Sequence, residues 1–203
     1  MHSYPIPAQP QLVVEETIKK SRFLTYIVHT EGTAAAKLAV QTLREQHPMA
    51  RHHCWAFVAG APNDSQQLGF SDDGEPSGTA GKPMLAQLMG SGLGEVTAVV
   101  VRYYGGVMLG TGGLVKAYGG GVQLALTQLE RQLKIPKQSY RLDCHYAQLA
   151  EVERIVQRFQ GDILDTHFTE RVTAVIALPE RYLAECNEAL SQFSRGELHL
   201  QQQ

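Results

Sequence analysis

The stretch Arg102-Tyr103-Tyr104-Gly105-Gly106-Val107-Met108-Leu109-Gly110-Thr111-Gly112-Gly113-Leu114-Val115-Lys116-Ala117-Tyr118-Gly119-Gly120-Gly121 holds eight of the chain's 19 glycines. A β-branched run over 96–103 leads into it, apolar on both faces, as expected of a strand at the centre of a sheet. Leu114, Tyr118, Val122, Ala125, Leu129 and Leu133 follow at three- and four-residue spacing, which predicts a helix over 114–133. Glycine permits φ > 0 and close backbone approach at an entropic cost. So dense a cluster between strand and helix has two readings. Backbone N–H groups at the helix start could face an anion, with Arg102 and Lys116 as charge partners. Alternatively, helix and sheet pack too closely for side chains. The glycine triplet inside the helix gives up about 3 kcal/mol relative to alanine, a cost easier to understand if a strand lies against it.

The phosphate-loop templates do not fit. GxxxxGK[ST] needs a lysine directly after glycine, whereas Lys116 stands three residues past Gly113; GxGxxG fails at Val115. Gly105, Gly106, Gly110, Gly112 and Gly113 therefore remain either a generic anion nest or a packing device.

Working outward, 13–18 and 22–29 read as a strand hairpin with Lys19-Lys20-Ser21 between them. The preceding eleven residues, with three prolines, read as a flexible lead-in. A helix is expected over 34–46, with Leu38, Thr42 and Leu43 on one side and Pro48 ending it. Strands are expected at 53–59 and 68–71, and an irregular loop at 72–83. Pro83 suits the first turn of a helix over 84–89. Ile135-Pro136-Lys137 marks a domain boundary, giving domains 1–136 and 137–203. Beyond it the order is strand 140–146, helix 147–159, strands 162–168 and 171–178, helix 180–193 and strand 197–200. That is the βαββαβ order of a ferredoxin-like domain. The fold class is α+β.

The chain has 203 residues, 43% hydrophobic and 19% charged, with net charge −2. This composition is that of a globular protein without a general basic coat. The first 136 residues carry 11 Lys+Arg against 10 Asp+Glu, and the remainder 7 against 10, so a nucleic-acid contact must use a local patch of the first domain. Cys54, Cys144 and Cys186 lack CxxC spacing and fit a reducing compartment. No stretch approaches the ~18 apolar residues of a membrane span, and no secretory signal opens the chain. The expectation is a cytoplasmic protein.

Candidate chemistry is sparse. Asp72-Asp73-Gly74-Glu75 could hold a divalent cation, but EF-hand spacing is absent and a capping or solvated turn is the simpler reading. In His52-His53-Cys54 only His52 and Cys54 share a strand face, and no second pair completes a zinc site. His52 or His53 could form an acid–base pair with Asp72, Asp73 or Glu75 only if the fold brings them together. No nucleophile stands in a known frame, and neither metal nor cofactor is expected. Lys19, Lys20 and Arg22, near Phe23 and Tyr26, with Arg102 beside Tyr103 and Tyr104, interleave cations and aromatics as RNA-binding sheets do. The same tyrosines could simply close the core.

Three motifs in order carry a resemblance: Glu16-x-Ile18-Lys19-Lys20-Ser21-Arg22-Phe23, Asp73-Gly74-Glu75-Pro76-x-Gly78-Thr79-Ala80-Gly81-x-Pro83, and Val101 to Tyr118 within the glycine stretch. Together the sequence resembles the IMPACT family, and within it the bacterial branch. The resemblance implies an N-terminal domain like ribosomal protein S5 domain 2, a fold shared with domain IV of elongation factor G. It implies a C-terminal domain like domain V of that factor. Both comparisons involve ribosome- or RNA-facing modules, and eukaryotic members of the family influence translational control. The family supplies no established catalytic residues. The expectation is a non-enzymatic protein binding RNA, the ribosome or a translation factor through Lys19, Lys20, Arg22, Arg102, Tyr103 and Tyr104, with Lys82 and Lys116 near the glycine loops. The alternative is a phosphoryl-group enzyme or phosphometabolite-binding protein using those loops.

Overall fold

The computed structural model describes residues 3–202, which separate into two compact units, Tyr4–Lys134 and the residues from Ile135 onward, with Ser3 grouped in the second. In the N-terminal unit, β2 (Gln11–Ile18), β3 (Ser21–His29), β4 (His52–Val58), β5 (Leu68–Ser71) and β6 (Val96–Tyr103) form one sheet in the order β2-β3-β6-β4-β5. Every pairing in it is antiparallel. The β6 strand lies at the centre, as its two-faced apolar pattern requires. Val96, Ala98 and Val100 pack on one side with α2 (Gly81–Gly90) and α3 (Thr111–Gln128), through Met84, Leu88, Tyr118 and Val122. Val99 and Val101 face the other way, against Val40 and Leu43 of α1 (Gly32–Gln46). Leu38 of α1, expected on the packed side, is 67% exposed; Ala36, Val40 and Leu43 form the buried stripe instead.

The structure departs from the sequence reading at both ends of this unit. The helix ends at Gln128, and Arg131–Lys134 is a strand, β7, paired with β1 (Tyr4–Pro7) in the segment expected to be a flexible lead-in. The helical spacing runs on to Leu133, but that side chain is 63% exposed; long-range ladder hydrogen bonds win over local periodicity. Met1 and His2 of that lead-in lie outside the described residues.

The glycine triplet separates into three environments. A Cβ on Gly121 would meet Thr25 Oγ1 of β3 at 2.5 Å, whereas Gly120 has open space and Gly119 only ordinary van der Waals neighbours in Pro83 and Gln87 of α2. Close helix–strand packing thus accounts for Gly121.

The C-terminal unit runs β8 (Gln138–Cys144), α4 (Leu149–Arg158), β9 (Asp162–Phe168), β10 (Val172–Leu178), α5 (Leu183–Ser194) and β11 (Gln201–Gln202). Its antiparallel sheet has the order β11-β8-β10-β9, the split βαβ arrangement read from the sequence. Leu142, Ile176, Val152, Val156, Cys186 and Leu190 fill its core. The last strand falls later than expected. Over 197–200, Leu198 and Leu200 are buried, but their N–H groups donate to Ser194 Oγ and Asn187 Oδ1 of α5 rather than to a ladder. Gln203 lies outside the described residues. Among those described, no helix is long and apolar enough to cross a membrane.

Candidate functional site

One end of the N-terminal sheet gathers most of the residues singled out above. Antiparallel pairing sets Arg22, at the start of β3, opposite Tyr103 at the end of β6, and sets His52, at the start of β4, opposite Arg102. The hairpin joining β2 to β3 is a two-residue turn, because Ile18 pairs directly with Ser21. Lys19 and Lys20 both take positive φ, +46° and +68°, the signs of a type I′ turn matched to strand twist. Beyond β6 the chain folds onto this turn. A Cβ on Gly105 would stand 1.9 Å from the Lys20 carbonyl oxygen, so only glycine fits there. The Gly105 N–H donates to Ser21 Oγ at 3.2 Å.

Beneath this surface is a buried polar network. The Arg102 guanidinium and the Tyr118 hydroxyl both donate to Glu75 Oε1, each at 2.6 Å. Arg102 is 5% exposed, and among the described residues its Nε finds no hydrogen-bond partner. Burial pushes the Tyr118 phenol far above its ordinary value, and the Cys54 thiol likewise. The acidic turn is committed to protein donors rather than solvated. Asp72 accepts from the backbone N–H groups of Gly78, Ala80 and Gly81 at 2.8, 3.1 and 2.8 Å, capping α2 from outside the helix. Burial would raise its carboxyl, but those donors outweigh it and hold the group below the usual aspartate value. Asp73 accepts from the His53 N–H at 2.7 Å and from Arg44 at 2.9 Å.

Above the network opens a cavity of about 370 Å³, walled by Arg51, His52, Glu75, Arg102, Tyr104 and the Gly110–Thr111 start of α3 among others. Gly110, the N-cap of α3, takes φ +75° and has no side chain to cap the helix. Tyr104 is 42% exposed, with the guanidinium carbons of Arg51 and Arg102 each 5.4 Å from its ring centroid. The fold also brings His52 to Glu75: Nε2 lies 3.9 Å from Oε2. His53 points to the opposite face, where its Nε2 donates to the His47 carbonyl at 3.0 Å, and burial lowers its pKa.

The residues expected to bind occupy different settings. Lys19 and Lys20 are exposed, and among the described residues neither has an acidic partner. Arg22 is exposed but held by Glu15 at 2.5 and 3.1 Å, with its guanidinium over the Tyr103 ring. The Tyr103 hydroxyl bonds to His47 Nδ1 at 2.8 Å. Arg102 lies in the interior, against the Phe23 ring as well as Glu75. Lys82 and Lys116 line a separate depression between α2 and α3. Of the glycines, Gly110 lines the cavity, Gly105 seats the loop on the turn, and Gly113 sits against the Leu109 side chain. Arg51 escaped the sequence reading, and Glu75 was weighed there only as a metal ligand or acid–base partner. The pairing of His52 with Arg102, which places both beside the glycine stretch, joins segments about fifty residues apart.

Comparison with known proteins agrees with this architecture. Residues 19–126 match the family model described as the Impact N-terminal domain, and residues 142–197 match a domain of unknown function, DUF1949. The chain is 60% identical over 200 residues to the IMPACT family member YigZ of Escherichia coli (strain K12), covering 98% of each sequence. It is 50% identical over 201 residues to an IMPACT family member of Haemophilus influenzae (strain ATCC 51907 / DSM 11121 / KW20 / Rd), covering 99% of this chain and 97% of the other. A crystal structure described as that of a hypothetical protein superposes with a TM-score of 0.82 at 58% identity, covering 100% of this chain and 98% of the other. The two matched domains and the near full-length identities establish that this chain belongs to the IMPACT family.

Proposed function

We propose that the protein is a non-enzymatic, translation-related RNA-binding protein that meets the ribosome or a translation factor through the basic end of its N-terminal sheet. One observation carries this reading: strand pairing sets Lys19, Lys20 and Arg22 at the same end of the sheet as Arg51, whose guanidinium lies over the exposed Tyr104 ring at a cavity. Exposed cations track a phosphate backbone, while an aromatic ring offers a stacking surface to an unpaired base. The chain's overall charge of −2 makes such a local patch the electrostatically favoured docking point.

The test is fluorescence anisotropy with a labelled single-stranded RNA across a salt series, alongside co-sedimentation with ribosomes. Affinity should fall steeply with salt. Changing Lys19 and Lys20 to Ala should flatten the log–log slope by about 0.7 for each phosphate that is no longer neutralised. Salt-insensitive binding, or ribosome association untouched by the double substitution, would remove this surface from consideration.

A further inference from the structure

We infer that His52 and Glu75 form a ribose-hydroxyl clamp, so that the cavity distinguishes a ribonucleotide unit from its deoxy counterpart. This deepens the RNA-binding reading and rests on it. His52 Nδ1 lies 2.8 Å from the Asp73 carbonyl oxygen. A carbonyl only accepts, so Nδ1 carries a proton and Nε2 is the atom turned toward Glu75. Glu75 is fixed from its other side, since Arg102 and Tyr118 both donate to Oε1. Among the described residues no hydrogen bond is made to Oε2. The 3.9 Å between Oε2 and Nε2 is too long for a hydrogen bond. Two nearly buried polar atoms, each locked by its neighbours, therefore face one another across a gap on the cavity wall.

A hydroxyl oxygen standing on the cavity side, off the line between the two atoms, is within hydrogen-bond reach of both. Its one proton can be given to either of the two acceptors, the carboxylate Oε2 or the imidazole Nε2. The surroundings select the kind of hydroxyl. Tyr104 stands at the same cavity, 42% exposed, with the guanidinium groups of Arg51 and Arg102 over its ring, an aromatic and cationic wall suited to a base and its phosphate. The volume of about 370 Å³ is in the range of small-ligand sites. The unit with a stacking base, a nearby phosphate and a hydroxyl for the pair is a ribonucleotide, and its 2′-hydroxyl is what a protein reads to tell RNA from DNA. The nucleotide could belong to an RNA strand or be free in solution, and the two sources separate experimentally.

The experiment compares oligouridylate, oligodeoxyuridylate and 2′-O-methyl oligouridylate of equal length on the unaltered protein, then on His52→Ala. The ribo form should bind tighter than both others by on the order of tenfold, as for one hydrogen bond to a charged group. In His52→Ala, checked for folding by its thermal transition, ribo affinity should fall to the deoxy level while deoxy binding stays unchanged. Equal affinity for ribo and deoxy strands, or a preference that survives His52→Ala, overturns the clamp and leaves RNA binding standing. If neither strand binds, the RNA reading fails, and calorimetry with uridine and deoxyuridine monophosphates decides the clamp alone. A ribo preference there supports it with a free nucleotide as ligand, and no preference overturns it.

Discussion

The Arg102 guanidinium meets the Glu75 carboxylate at 2.6 Å, with the two side chains only 6% and 4% exposed. Removing one member of such a pair strands the other charge in the interior, which costs about 3–5 kcal/mol. Arg102→Ala should lower the urea midpoint accordingly, with the slope of the transition unchanged. The paired replacement Arg102→Met with Glu75→Leu should lose less than the single variant. An equal or larger loss would show that the hydrogen bond from Tyr118 matters more than the ion pair.

Asp72 caps α2 across nine residues of sequence, which makes one carboxylate the anchor of the loop running from Asp72 to Gly81. Asp72→Ala should destabilise the N-terminal unit by roughly 2–3 kcal/mol. Asp72→Asn, which keeps an acceptor but loses the charge, should retain part of that. Denaturant unfolding of both variants tests the ordering, and equal losses would mean that charge contributes everything.

Glu95 links the β1–β7 ribbon to the sheet. It receives Lys134 Nζ at 2.6 Å and the Tyr4 hydroxyl at 2.8 Å, and it meets His29 Nε2 at 3.0 Å. Burial would raise its carboxyl, but the bonds from Lys134, His29 and Tyr4 prevail and lower it. A depressed folded-state pKa contributes stability that is full above the unfolded value of about 4.3 and is lost as pH falls through the folded value. Thermal unfolding of the native protein should therefore weaken over that acid window. Glu95→Gln should be less stable near neutral pH and show a shallower acid dependence. Parallel profiles for the two proteins would contradict this assignment.

The two neighbouring helix glycines should respond with opposite signs. Gly120→Ala meets open space and should stabilise by up to about 1 kcal/mol. Gly121→Ala drives a methyl to 2.5 Å from Thr25 Oγ1, and overpacking of about 1–3 kcal/mol should exceed the propensity gain. Melting temperatures of the two variants, measured together, settle the comparison.

Most of the architecture was legible because it is local. Two-faced apolar β6 announced a central strand, the C-terminal alternation of strands and helices announced βαββαβ, and the three motifs announced the family. What escaped depends on long-range pairing. Nothing in Arg131–Lys134 shows that Tyr4–Pro7 will supply a ladder for it. Arg102 looked like a surface cation because a lone Arg beside two tyrosines carries no mark of burial. Its partner Glu75 stands 27 positions away inside a loop. The His52–Glu75 approach was foreseeable only as a condition on the fold, since neither residue's neighbours in the chain dictate it.

The turn between β2 and β3 carries a consequence for how this fold could be improved and what would be lost. Asparagine–glycine is the favoured pair at such a turn, yet two lysines occupy it with φ of +46° and +68°. Each side chain in that backbone region is strained by about 1 kcal/mol or more. Changing Lys19 to Asn and Lys20 to Gly should therefore raise the melting temperature while weakening the RNA binding proposed for the sheet end. Under the proposed role, the hairpin tip sets foldability against recognition, and the more stable protein would be the less competent one.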